Sequence, residues 1–225
     1  MNRTFDDGPA GVALLGVLPE PERELLRQVL EAGRRQLGAA WAASAAQREI
    51  FWINLWQRSG GAAPMSLEGV PAVDRWAREL ADRAYAGEGA ECDGYGFIIN
   101  PVGSKTQKWH VDYTRDYSTI FIPLSRLTTE NCTQYAVLPP NAPGAAVEQA
   151  TANLDVVDLD ALVAACDYVS VRQLLAKPFS VIKLDFGTIH RGISNTGDFE
   201  RVMFWISMNR RSDFLPVEPV VEVIH

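Results

Sequence analysis

Three histidines occur in this chain, and two of them sit where they can do chemistry. One is in His110-Val111-Asp112 and the other in Thr188-Ile189-His190-Arg191-Gly192; the third, His225, is the last residue. If residues 108–113 form a strand, His110 and Asp112 point to the same face, because side chains at i and i+2 share a side. His190 can close a third position from a facing strand. Two imidazoles and one carboxylate on one face of an octahedral metal leave three positions open, an arrangement suited to iron(II) and O2 chemistry. Zinc accepts the same donors. An HxD tripeptide also arises often by chance, so the surrounding sequence has to decide.

Arg201 lies at the head of Arg201-Val202-Met203-Phe204-Trp205-Ile206, an otherwise apolar strand pattern. Burying an unpaired guanidinium is costly. A carboxylate partner relieves that cost through two parallel, charge-assisted hydrogen bonds. The partner is either a structural Asp or Glu or a bound dicarboxylate. Beside the triad, the 5-carboxylate of 2-oxoglutarate is the stronger reading. Strand alternation places Met203, Trp205 and Ser207 on the side of Arg201, so Trp205 either walls the site or fills the core. Tyr113, Arg115 and Tyr117 follow the first metal motif and either border a pocket or form a strand end and turn. Of these, Arg115 is the candidate for an anionic substrate group.

The elements that must position these residues change character along the chain. Pro19-Glu20-Pro21-Glu22 opens a helical pattern, with Leu25, Leu26, Val29, Leu30 and Leu37 on one face. Residues 39–56 read as continuing helix, which would put Trp52 and Trp56 one turn apart in the core. Residues 70–86 read as a second amphipathic helix. Segments 95–102, 108–113, 118–124, 134–138, 179–186 and 201–208 then read as strands, with residues 158–165 a short helix among them. Helices followed by many short strands predict a mainly β, α+β domain: an antiparallel sandwich or open barrel with N-terminal helices on one face. The predicted division within one domain is a helical buttress at 1–90, a β core at 91–212, a lid or insertion at 139–175, and a tail at 213–225 that covers the core or a partner subunit.

Composition narrows the function. The 225 residues carry a net charge of −7 and no basic stripe, which argues against nucleic acid as a partner. The first residues lack a signal-peptide pattern, and no apolar run nears the ~20 residues that span a bilayer, so a membrane partner is not expected. Cys92, Cys132 and Cys166 are odd in number with no CxxC pair, which suits reduced thiols in a cytoplasmic protein.

Gln107-Lys108-Trp109-His110-Val111-Asp112-Tyr113 resembles the first metal motif of the phytanoyl-CoA dioxygenase-like family of Fe(II)/2-oxoglutarate oxygenases. Thr119 to Leu124 with Thr129-Glu130-Asn131 is similar to that family's next strand and its acidic-Asn turn, and Leu138-Pro139-Pro140 to its proline-rich loop. Asp185 to Gly192 with Asn195-Thr196 resembles the second metal motif, and Arg201 matches the position of the 2-oxoglutarate arginine. The resemblance covers residues 94–210. Departures are Asn131-Cys132 where the family commonly has Asn-Gly, Lys177-Pro178 before the second motif's strand, and a short chain. They touch loop geometry rather than the ligands.

The resemblance implies a double-stranded β-helix, the jelly-roll or cupin-like fold. Fe(II) would be held by His110, Asp112 and His190. Arg201 would hold the far carboxylate of 2-oxoglutarate, and Thr119 is a candidate hydroxyl partner for the cosubstrate. Cosubstrate and O2 would yield succinate and CO2, coupled to hydroxylation, desaturation, epoxidation or ring closure of a small-molecule or carrier-bound substrate in a biosynthetic tailoring step. Retention of Asp112 argues against a halogenase. Two alternatives stay open: a cupin-type iron enzyme independent of 2-oxoglutarate, and a catalytically silent jelly-roll binding protein. Oligomeric state is not readable.

Overall fold

The computed structural model describes residues 11–58, 64–84, 91–112, 117–139, 142–153, 155–166, 169–185 and 187–209. Tyr113, Arg115, the Tyr117 side chain, His225 and the tail from 213 lie outside the described residues. Among those described, nine strands and four helices run in the order β1 (Val12–Val17), α1 (Glu20–Gln47), β2 (Phe51–Gln57), α2 (Val70–Ala84), β3 (Glu91–Asn100), β4 (Tyr117–Pro123), β5 (Thr133–Val137), α3 (Gly144–Ala150), α4 (Leu159–Ala165), β6 (Ser170–Leu174), β7 (Ser180–Asp185), β8 (His190–Gly192) and β9 (Arg201–Asn209).

Two antiparallel sheets result, a six-stranded one ordered β1-β7-β4-β9-β3-β2 and a three-stranded one ordered β6-β5-β8. Strand alternation gives the large sheet two different faces. Tyr95, Phe97, Ile99, Phe204 and Ile206 pack outward against Leu26, Val29, Val73 and Trp76 of the two long helices. Ile98, Phe121, Met203 and Trp205 point inward, where Leu127, Leu174 and Ala176 come across from the small-sheet side. The small sheet is covered in turn: Val111, Ala136 and Ile189 pack on Ala150, Val157 and Leu162 of the α3–α4 segment. Helices, large sheet, inner space, small sheet and short helices therefore stack as successive layers of a double-stranded β-helix.

Three differences from the sequence reading have physical causes. Helix α1 stops at Gln47, not near residue 56, because Arg48 takes a left-handed conformation (φ 60°) and its N–H turns back to the Ala45 and Ser44 carbonyls. That is the usual helix-ending geometry, made without its usual glycine. Trp52 and Trp56 consequently sit on strand β2 and not one helical turn apart in the core. Trp56 faces the helices, where it packs on Tyr95 with ring centroids 5.9 Å apart, while Trp52 is exposed. Strand β1, in the segment expected to be a helical buttress, pairs with β7 as the edge of the large sheet. The described residues 108–112 do not form a continuous strand: among them only His110 pairs, in an isolated bridge to His190. In the segment read as a lid or insertion, α3 and α4 pack behind the small sheet, tied by the Val157 N–H to the Trp109 carbonyl at 2.7 Å, and β6 is a strand of that sheet. None of the segment's described residues lines the inner cavity.

Candidate metal centre

The bridge between His110 and His190 creates the site. Each N–H donates to the other's carbonyl, at 3.0 and 2.9 Å. Directly paired residues of antiparallel strands project their side chains to the same face, and the two ring centroids lie 4.4 Å apart. Each Nδ1 meets the carbonyl two residues upstream at 2.9 Å, Lys108 for His110 and Thr188 for His190. Carbonyls only accept, so both Nδ1 atoms carry a proton and both Nε2 atoms are left to face Asp112. Metal-binding histidines are commonly oriented in this way. The two Nε2 atoms converge on Asp112 Oδ1, at 3.6 Å from His110 and 3.4 Å from His190. One donor atom from each residue lies within 4.8 Å of the others. The three residues thus fit a facial two-imidazole, one-carboxylate metal site.

Charge is arranged to match. Burial pushes the Asp112 carboxyl up, but the adjacent His190 and His110 rings and the Thr119 hydroxyl outweigh it and lower the pKa to about 2. Burial and the neighbouring His190 lower His110, whereas His190 is raised because the Asp112 carboxylate overcomes its desolvation. A metal ion would find the carboxylate already ionised and would displace the proton that Asp112 favours on His190.

Thr119, read from sequence as a cosubstrate contact, donates its hydroxyl to Asp112 Oδ2 at 3.2 Å. It lines the cavity, but the bond fixes one carboxylate oxygen and leaves Oδ1 facing the histidines. Removing such a partner of a metal ligand typically costs ten- to a hundredfold in metal affinity. Thr119→Val is therefore expected to weaken Fe(II) or Ni(II) binding by about tenfold or more, read by titration against a competing chelator. Unchanged affinity would show that the hydroxyl does not orient Asp112.

Arg201 opens into the same cavity and is 3% exposed. Its Nε and Nη2 donate to Asn100 Oδ1 at 3.2 and 2.9 Å, and its Nη1 to the carbonyls of Asn131 and Cys132 at 3.1 and 3.0 Å. Every one of these acceptors is neutral, and no carboxylate pairs with Arg201 among the described residues. Burial lowers its pKa to about 10, so it remains a cation near neutrality. A buried cation without an anion is a site waiting for one. Asn100 Nδ2 is itself buried without a partner.

Three residues not singled out from sequence build this pocket. Asn100 is directly opposite Arg201 in the β3–β9 register. Gln107 receives the Gly192 N–H on Oε1 at 2.8 Å, which fixes its amide beside the guanidinium. Gly192 makes the room: a Cβ there would lie 2.6 Å from Gln107 Oε1 and closer still to Arg201 Nη2. The cavity is lined by the metal donors and the arginine together and opens to solvent. Of the sequence-derived substrate candidates, Trp205 lines it; Tyr113 and Arg115 lie outside the described residues.

No family model matches the chain, and no curated protein matches it in sequence. Solved structures do match in fold. SnoK, a non-heme alpha-ketoglutarate-dependent carbocyclase from nogalamycin biosynthesis, aligns with a TM-score of 0.63 at 14% identity, covering 93% of this chain and 87% of its own. HygX from Streptomyces hygroscopicus, with nickel and 2-oxoglutarate bound, aligns at 0.54 and 13% identity, covering 93% and 86%. EctD from S. alaskensis, with bound Fe, aligns at 0.59 and 18% identity, covering 90% and 74%. Against EvdMO1 the chain spans 48% of the matched protein's length. At these identities the likeness establishes one thing plainly: the chain has the double-stranded β-helix fold seen in SnoK, HygX and EctD.

Proposed function

We propose that this protein is a non-haem Fe(II)- and 2-oxoglutarate-dependent oxygenase that acts on a small molecule, free or carrier-bound, in a biosynthetic tailoring step. One observation carries the reading. A facial His110–Asp112–His190 donor set and a buried guanidinium without a carboxylate partner among the described residues share one cavity. Binding of nickel and 2-oxoglutarate by HygX, and of Fe by EctD, supports it.

His110 and His190 would hold the metal through Nε2 and Asp112 through Oδ1. The metal, when bound, supplies the redox centre at which O2 and 2-oxoglutarate are consumed, giving succinate and CO2. Arg201 orients the cosubstrate by its far carboxylate, with Asn100 and two backbone carbonyls holding the guanidinium still. Thr119 keeps Asp112 in place as the charge at the site changes. Hydroxylation is the default outcome. Desaturation, epoxidation or ring closure depends on how the cavity wall holds the substrate, and SnoK is a carbocyclase on this fold. The free, buried thiols of Cys92, Cys132 and Cys166 suit a reducing compartment such as the cytoplasm, in which ferrous iron persists. No described helix is long and apolar enough to cross a membrane.

The test is spectroscopic. Protein loaded anaerobically with Fe(II) is expected to develop a weak visible charge-transfer band on addition of 2-oxoglutarate, and to release succinate when O2 is admitted. A metal-loaded protein showing neither band nor succinate would reject the reading.

A further inference from the structure

Of the chain's six tryptophans only Trp52 is exposed, at 48%, and it stands on the cavity wall. A β-bulge sets up what lies beside it. Pairing of β2 with β3 slips between Asn54 and Trp56, leaving Leu55 as the extra residue. Ile53 and Leu55 face the helical core. Without the bulge Gln57 would follow them; with it, Gln57 joins Trp52 on the cavity side. Gly94 completes the surface. A Cβ there would come within 3.2 Å of both Gln57 Cγ and the Trp205 ring, so the missing side chain lets those two meet. The partners of Trp52 and Gln57 on β3 are Ile98 and Gly94, which puts the two side chains about 13 Å apart along the strand.

The chemistry of this wall is one-sided. Among the described lining residues the ionisable groups are Asp112, His110, His190 and Arg201. Metal and cosubstrate use all four. The other described lining residues, Trp52, Gln57 and Trp205 among them, are all neutral. Trp205 Nε1 is buried, so this indole offers the cavity its ring and not its N–H. Among the described lining residues no counter-charge is left for a substrate carboxylate, phosphate or ammonium, which would lose water there uncompensated. A ring face gains contact with an indole already held by the sheet, and ring oxygens can pair with the Gln57 amide.

We propose that Trp52, Gln57 and Trp205 form the primary-substrate subsite and select an uncharged ring, stacked on Trp52 against the Trp205 ring with its polar edge toward Gln57. The proposal rests on the cosubstrate reading above, because that reading assigns the four ionisable groups elsewhere. The ring can be a flat aromatic or the C–H face of a sugar, and the two sources separate by probe.

Calorimetric titration with 2-naphthol and with maltose, each against its anionic counterpart (2-naphthoate and maltobionate), reads the subsite with and without Ni(II) and 2-oxoglutarate. One neutral probe is expected to bind, and its identity names the ring type. Its anionic counterpart should bind about tenfold more weakly, Trp52→Ala should cost about tenfold, and Trp52→Phe should recover most of that loss. Gln57→Ala should weaken the probe by about threefold to fivefold. In Trp52→Ala the 2-oxoglutarate affinity, read from the charge-transfer band, should stay within about twofold. Failure of both neutral probes, unchanged binding in Trp52→Ala, or tighter binding of the anionic counterparts overturns the proposal. A missing band in the unaltered protein overturns the cosubstrate reading instead, and ring binding is still read in the metal-free protein.

Discussion

Asn100→Asp is expected to raise the dissociation constant for 2-oxoglutarate by about two to three orders of magnitude and to leave metal affinity nearly unchanged. Asn100 Oδ1 already accepts from both Nε and Nη2 of Arg201. A carboxylate oxygen in the same place would form the forked ion pair that the cosubstrate must otherwise make. The guanidinium would then be neutralised from within, and a buried charge that has lost its partner role is worth about 3–5 kcal/mol. Stability should move the other way. Arg201 is 3% exposed and Asn100 fully buried, so an internal counter-charge removes an existing desolvation cost and is expected to raise stability by about 1–3 kcal/mol. A higher melting temperature with lost cosubstrate affinity is the signature to measure. If 2-oxoglutarate binds the variant normally, Arg201 is not its anchor.

Gly192→Ala is expected to cost about a hundredfold in kcat/KM for 2-oxoglutarate with little loss of stability. The added methyl would meet the Arg201 guanidinium and Gln107 Oε1. Both are tips of long side chains, so the fold accommodates the methyl by moving them. The guanidinium cannot move freely, however, because Asn100, Asn131 and Cys132 hold it at four hydrogen bonds. A displacement near 1 Å at a positioning group typically costs about a hundredfold in rate. Steady-state kinetics against 2-oxoglutarate, paired with thermal unfolding, separates this from general damage. A variant that unfolds far below the parent and regains full activity at low temperature would contradict the steric account.

Strands β3, β4, β5, β7 and β9 were legible because their aromatic and β-branched runs are bounded by turn residues. Strand β2 was not, since an alanine-rich helix precedes it and Trp52 and Trp56 fall at helical spacing; Arg48 ends that helix without the glycine that marks such stops. Strand β1 carries no alternation and exists by pairing with β7. At the site, His110, Asp112, His190 and Arg201 announce themselves by residue type. Asn100, Gln107 and Gly192 are ordinary residue types whose roles come from cross-strand register with partners far along the chain. Thr119 was identified as a site residue, but its bond to Asp112 depends on how β4 lies beside the first metal motif. Trp52 was hidden for the same reason as the strand that carries it.

The bridge between His110 and His190 also bears on how the molecule assembles. It joins points eighty residues apart in the chain, and closing so long a loop carries an entropic cost before any contact repays it. Segments from both sheets meet at this point, through Thr119 on one side and β8 on the other. The donor set therefore exists only in the assembled barrel. An ion that binds folded chains and not unfolded ones stabilises the fold by mass action, about 2.7 kcal/mol at a hundredfold excess over its dissociation constant. On the proposed function, metal supply would thus contribute to the stability of the fold as well as to activity.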